Sequence, residues 1–383
     1  MIAQCKFIVK IGDYSLDGFC DPYQQKWQVD TGNGIEQYKE LKGVCVLKRE
    51  YTNHVLPIKL KVQAKVECLP TDPATYLFAY SNDLVYSDIE SAMYVLDNTI
   101  ADFPTRFVQA ATVRFDMKTK EDFVFHEGDT LADSYRNSRE HMKKQQVDPS
   151  QRFESSETGS DVLDMLERFV NTNRPNICGS FALIYMKRSP NEVEISKIVE
   201  KLRIYHIQFS IAAVHPSSGG LHPETLYDLA AKTNGFCTFS NDEYALFVNP
   251  HVIWPNLYYA LNLKVSGTGK MNLPPITFPK QLYMMPLLVV GVQRTATAES
   301  FQSLTISSYD TQSGEIVPIT VTKEQLKPTQ DNSFNSFRGW FFMSGFPTTY
   351  NITLEYSYAM EDIIQIRITS TTPNDHWLPY QDV

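Results

Sequence analysis

Ser81, Asp83, Thr158, Lys187 and Arg188 have side chains that could meet in one recognition site: two hydroxyls, a carboxylate and two adjacent cations. A guanidinium holds a carboxylate through two parallel hydrogen bonds, and an ammonium adds a point charge. With Ser81 and Thr158 as neutral donors beside Lys187-Arg188, the chemistry that fits is capture of an acidic side chain from a protein ligand. A second set, Cys237 with His215 or His222, has the types for hydrolase-like nucleophilic catalysis. A buried thiol and histidines at a helix start are the commoner use of such residues. Gly267-Thr268-Gly269-Lys270 looks like the end of a phosphate-binding loop, but Lys264 stands where the first glycine belongs and Met271 where Ser or Thr belongs. It reads as a strand-ending turn. No Gly-x-Ser-x-Gly, His-Glu-x-x-His or Cys-x-x-Cys pattern occurs, and no Gly-x-Gly-x-x-Gly follows a strand.

These residues lie at the ends of recognisable elements. Phe181-Ala182-Leu183-Ile184-Tyr185-Met186 is an apolar run of the length of a strand buried on both faces. Ser189-Pro190-Asn191-Glu192 has the composition of a helix start, and Ile195, Ile198, Val199 and Leu202 follow at helical spacing. A strand at 207–214, a turn at Ser217-Ser218-Gly219-Gly220, a helix from His222-Pro223-Glu224 to Asn234-Gly235 and a short strand at 236–239 complete a crossover series. Upstream, Tyr76 to Tyr80 reads as a strand and Ser87-Asp88-Ile89-Glu90 as a capping box. Strands are expected at 107–115 and 122–125. A polar, mostly exposed helix should carry Leu131, Tyr135, Ser138 and Met142, and another opens at Thr158-Gly159-Ser160-Asp161. Residues 74–250 therefore predict one α/β domain with a mostly parallel sheet and helices on both faces.

The flanks read differently. Over 1–70, Cys5 to Ile11 and Ile58 to Val66 alternate apolar and polar residues, a small β domain. Over 251–383 short strands at 258–265, 286–292, 304–308, 316–321, 352–358 and 364–368 are divided by turn residues, which predicts a nearly helix-free β-sandwich.

The segments LFAYSNDL, ALIYMKRSPNE and HPETLYDLAAKTNGFCTFSNDE, with the Thr-Gly-Ser helix start and the β-rich tail, carry a resemblance. Together they resemble a von Willebrand factor A domain, and are similar to an uncharacterised nematode family of such proteins. The resemblance implies a three-layer, Rossmann-type domain and an adhesion-type, non-enzymatic binding role outside the cell. The family holds Mg²⁺ in a metal-ion-dependent adhesion site, with Asp-x-Ser-x-Ser in a first loop, Thr in a second and Asp in a third. Here the first loop reads Tyr80-Ser81-Asn82-Asp83-Leu84, Thr158 matches the second, and Lys187-Arg188 replace the third loop's carboxylate. A hard dication wants oxygen ligands in an octahedron, so no resident cofactor is expected and binding should be metal-independent.

Bulk properties narrow the field. A formal charge of −9 with no Lys/Arg cluster argues against nucleic acid, and no apolar run reaches the ~20 residues of a membrane-spanning helix. The start, Met1 to Lys6, lacks a signal-peptide core, which predicts either an intracellular protein or a missing upstream start. Cys5, Cys20, Cys45 and Cys68 crowd the first 70 residues; they read as two internal disulfides in a secreted protein or as free thiols otherwise.

Overall fold

The computed structural model describes residues 5–11, 14–21, 26–30, 35–38, 45–47, 58–60, 68–97, 106–172, 174, 176–242, 245, 256–278, 286–341 and 349–382. The chain divides into two compact units, Met1–Glu67 and Cys68–Val383. The first contains strands β1 (Cys5–Ile11), β2 (Tyr14–Asp21), β3 (Lys26–Asp30), β4 (Ile35–Tyr38), β5 (Cys45–Leu47) and β6 (Ile58–Leu60). They form one antiparallel sheet in the order β4-β3-β2-β1-β5-β6. The alternation expected over 61–66 lies outside the described residues.

The second unit holds two sheets. The first comprises β7 (Ala74–Ser81), β8 (Phe107–Phe115), β9 (Val124–His126), β10 (Phe181–Met186), β11 (Gln208–Val214) and β12 (Phe236–Ser240). Their order is β12-β11-β10-β7-β8-β9, parallel except for the antiparallel edge strand β9. Every residue of β7 and β10 is buried, as a sheet covered on both faces requires. One face packs on α1 (Tyr86–Asp97) through Ile89, Ala92, Met93 and Leu96, and on α2 (Leu131–Lys144) through Leu131, Tyr135 and Met142. The other face packs on α3 (Val162–Val170), α4 (Ser196–Ile204) and α5 (Glu224–Lys232). The chain leaves β7 for β8 on one side and later returns to place β10 on the other. The topological switch point therefore falls between β7 and β10, where an open sheet of this kind has its crevice.

Three local expectations are corrected here. Ser189-Pro190-Asn191-Glu192 is not a helix start: α4 begins at Ser196, and the segment before it is tied down by Ser189 and Asn191. The helix α2 is two-sided rather than mostly exposed, because Leu131, Ser134, Tyr135, Ser138 and Met142 are buried where it closes over the sheet face beside α1. Gly267-Thr268-Gly269-Lys270 is not a strand-ending turn but lies inside a strand, at a bulge where Gly267 takes φ +64°.

The second sheet is antiparallel. Two 22-residue strands, β13 (Asn256–Thr277) and β18 (Thr349–Ser370), form a long ribbon. Along the other edge of β18, its first half pairs with β15 (Phe301–Asp310), which carries β16 (Ile316–Thr322). Its second half pairs with β14 (Leu287–Gly291), which carries β17 (Ser336–Trp340). The strands expected at 352–358 and 364–368 are thus halves of one, continuous through Met360 and Glu361.

A disulfide joins Cys68 to Cys178, which corrects both expectations for Cys68, a partner within the first 70 residues or a free thiol. These cysteines precede β7 and β10, which are paired neighbours, so the topology brings them together across 110 residues of chain. The side chains of Cys5, Cys20 and Cys45 lie outside the described residues.

Candidate functional site

The loops that leave the carboxyl ends of β7, β8, β10 and β11 converge at the switch point. Arg188, two residues past β10, does not project from a loop tip. Its side chain is 3% exposed and meets the carboxylate of Asp83, itself 5% exposed, with Nε donating to Oδ2 at 2.7 Å. Nη1 donates to the carbonyls of Ser155 at 2.9 Å and Thr158 at 2.6 Å, and the guanidinium lies 5.5 Å from the Phe153 ring. Ser218 Oγ donates to the same Asp83 oxygen at 2.5 Å. Gly219 makes this approach possible, since a Cβ there would fall 2.3 Å from Arg188 Nη1 and 2.7 Å from the Ser156 carbonyl.

A second carboxylate lies behind the first. Asp116 ends β8 with φ +60° and is fully buried. Ser81 Oγ donates to its Oδ2 at 2.5 Å and in turn accepts from the Asp83 backbone N–H. Asp116 and Asp161 exchange backbone-to-carboxylate hydrogen bonds: Asp116 N–H to Asp161 Oδ1 at 2.7 Å, and Asp161 N–H to Asp116 Oδ1 at 3.2 Å. Burial pushes the Asp116 carboxyl up to about 7, although hydrogen bonds from Ser160 and Ser81 pull the other way.

Four of the residues singled out in the sequence are therefore brought together. Asp83 and Arg188 touch, Ser81 braces Asp83 through its backbone, and Thr158 contributes its carbonyl while remaining exposed. Lys187 is separate: alternation along the strand end turns it away from Arg188, and its ammonium meets Asp242 at 3.4 Å. The pair expected to act jointly on a ligand is split, with one cation already neutralised inside the protein. Asp116, Asp161, Ser155 and Ser218 were not singled out. The only sequence signal for them is position, since each falls in a loop leaving a parallel strand or leading into α3.

The Cys/His set does not assemble. Cys237 is completely buried in the core between the sheet and its helices, and burial pushes its thiol well up. The His215 ring meets Phe334 edge-on, while His222 Nδ1 faces Glu224 at 2.8 Å.

The residues do not fit the divalent ion implied by the resemblance. The Arg188 guanidinium already engages Asp83 and three loop carbonyls. A dication 4 Å from it would meet a repulsion of about 8 kcal/mol at an effective dielectric constant near 20. Among the described residues, no group of three or more His, Cys, Asp or Glu is placed to hold a metal.

By topology the second unit is a mixed α/β structure, a mostly parallel sheet joined to an antiparallel one, with a site of crossed loops at the switch point. A family model described as a domain of unknown function, DUF7154, matches residues 261–371, which fall in the antiparallel sheet and outside this site. No curated protein matches the chain. Among solved structures, the chain is similar to proximal thread matrix protein 1 from the mussel byssus at 12% identity and a TM-score of 0.32. That likeness covers 53% of this chain and only 51% of the mussel protein. The chain is also similar to the manganese-loaded Plasmodium vivax TRAP protein, at 14% identity and a TM-score of 0.31, over 53% of this chain and 86% of that one. Scores this low carry no weight in reading the site.

Proposed function

We propose that residues 74–250 form a von Willebrand factor A-like module that binds a protein partner through the carboxyl-end face of its parallel sheet, without catalysis and without a metal. The observation that supports this most is the Arg188–Asp83 contact. It ties the loop after β7, the segment before α3 and the loop after β10 to one another, and Ser218 adds the loop after β11. A face cross-linked in this way is preorganised, and binding to it loses little to loop ordering. With Arg188 engaged internally, direct contact with a partner falls to the rim, where Thr158 is exposed and Lys187 is half-buried beside Asp242. The Cys68–Cys178 disulfide suits an oxidising compartment, as an extracellular adhesion role requires.

The test is location. Immobilised protein is challenged with the extracellular protein fraction of its source, comparing wild type with Thr158→Trp on the face and Thr71→Trp at the opposite end of the sheet. Retained protein should be lost with the first variant and kept with the second. Equal retention by both would place binding elsewhere.

A further inference from the structure

We infer that the Arg188 guanidinium is the resident cation of this loop cluster, occupying an oxygen cage that would take a small divalent cation if the guanidinium were removed. The guanidinium's hydrogen bonds reach Asp83 Oδ2 and the carbonyls of Ser155, Thr158 and, at 3.5 Å, Phe153. Carboxylate and carbonyl oxygens are the donors a hard dication selects. The Ser218 hydroxyl sits on the same carboxylate oxygen, and Ser81 and Asp116 lie directly behind it. The cation is also built in rather than incidental, since its side chain is almost wholly buried and Gly219 leaves the backbone room that Nη1 requires. Arginine suits the place better than lysine would, because a planar fork reaches a carboxylate and several carbonyls at once.

The inference deepens the reading of the binding face and rests on that face being the functional one, but its test needs no partner and so fails or succeeds separately. Mn²⁺ is titrated into the wild-type protein and followed by electron paramagnetic resonance and by melting temperature. The expected result is no bound Mn²⁺ and no shift up to millimolar ion. Arg188→Ala should melt several degrees lower, and millimolar Mn²⁺ or methylguanidinium should each restore at least half of that loss. Arg188→Lys should melt low as well and respond to neither, its ammonium being tethered in the way. If Arg188→Ala does not fold, Arg188→Gln replaces it, and the wild-type titration stands without either variant. Stoichiometric Mn²⁺ binding by the wild type would overturn the inference. So would an Arg188→Ala or Arg188→Gln protein that melts like the wild type or that Mn²⁺ fails to restore, whatever methylguanidinium does.

Discussion

Asp116 and Cys237 show how burial sets the chemistry available to a side chain. Asp116 has its carboxyl raised from 3.8 to about 7, so the fold favours its protonated form. The sign follows from linkage: its contribution to stability is full below about 3.8, falls as pH rises toward about 7, and is level above that. Asp116→Asn, which mimics the neutral acid, should lack this slope. Denaturant unfolding of both proteins between pH 4 and 8 should show the wild type losing stability relative to the variant across that window. A constant difference would place the Asp116 titration elsewhere. Cys237 is buried in the core with its thiol pushed up, and a thiolate is the reactive form. Iodoacetamide should leave it unlabelled in the native protein and label it after unfolding; rapid native labelling would revive a nucleophilic role.

Among the elements, the contact between the two sheets of the second unit has the sharpest consequence. Arg367 on β18 is completely buried, and among the described residues no carboxylate pairs with it. It donates instead to the carbonyls of Gly235, Leu261 and Ile366 and to Asn262 Oδ1. Nearby, Tyr227 on α5 donates to the Ile363 carbonyl, and Gln365 donates to the Tyr227 carbonyl. Asn335 caps the outer edge of β12 by accepting from the Phe239 N–H and donating to the Cys237 carbonyl. Arg367→Ala would leave several buried acceptors unpaired at about 1–3 kcal/mol each. A loss of about 3 kcal/mol or more in denaturant unfolding is expected, and a loss under 1 kcal/mol would mean that these hydrogen bonds do not hold the two sheets together. Periodicity makes the individual strands legible, and Ile364, Ile366 and Ile368 alternate with Gln365 and Arg367, so Arg367 reads as an ordinary polar position of the strand expected at 364–368. Its burial depends on which sheet faces which, and strand alternation does not encode that.

Across the whole molecule, the parallel sheet was the most legible part, because fully apolar runs such as 181–186 arise only where both faces are covered. Boundaries fared worse wherever local composition and tertiary contacts disagreed. Ser189-Pro190-Asn191-Glu192 has helix-start chemistry, yet it serves to cross-brace loops at the switch point. The disulfide was illegible for a related reason, since crowding along the chain suggested partners for Cys68 while strand order supplied a different one. Closing a loop of 110 residues contributes about 5 kcal/mol in the chain-entropy limit. Reduction should therefore lower unfolding stability by several kcal/mol, read from denaturation with and without dithiothreitol; no change would mean the bridge does not form. The candidate site was legible as a set of residues and not as an arrangement. Ser81, Asp83, Thr158 and Arg188 do share one cluster, but the sequence left Arg188 free for a ligand, whereas Asp83 already holds it. The most direct measurement is a crystal structure of the wild-type protein grown with millimolar MnCl₂ and collected at the manganese edge. The expected map has guanidinium density within hydrogen-bond distance of Asp83 Oδ2 and no anomalous peak at the cluster. An anomalous peak bonded to Asp83, with Arg188 turned out to solvent, would contradict the central claim.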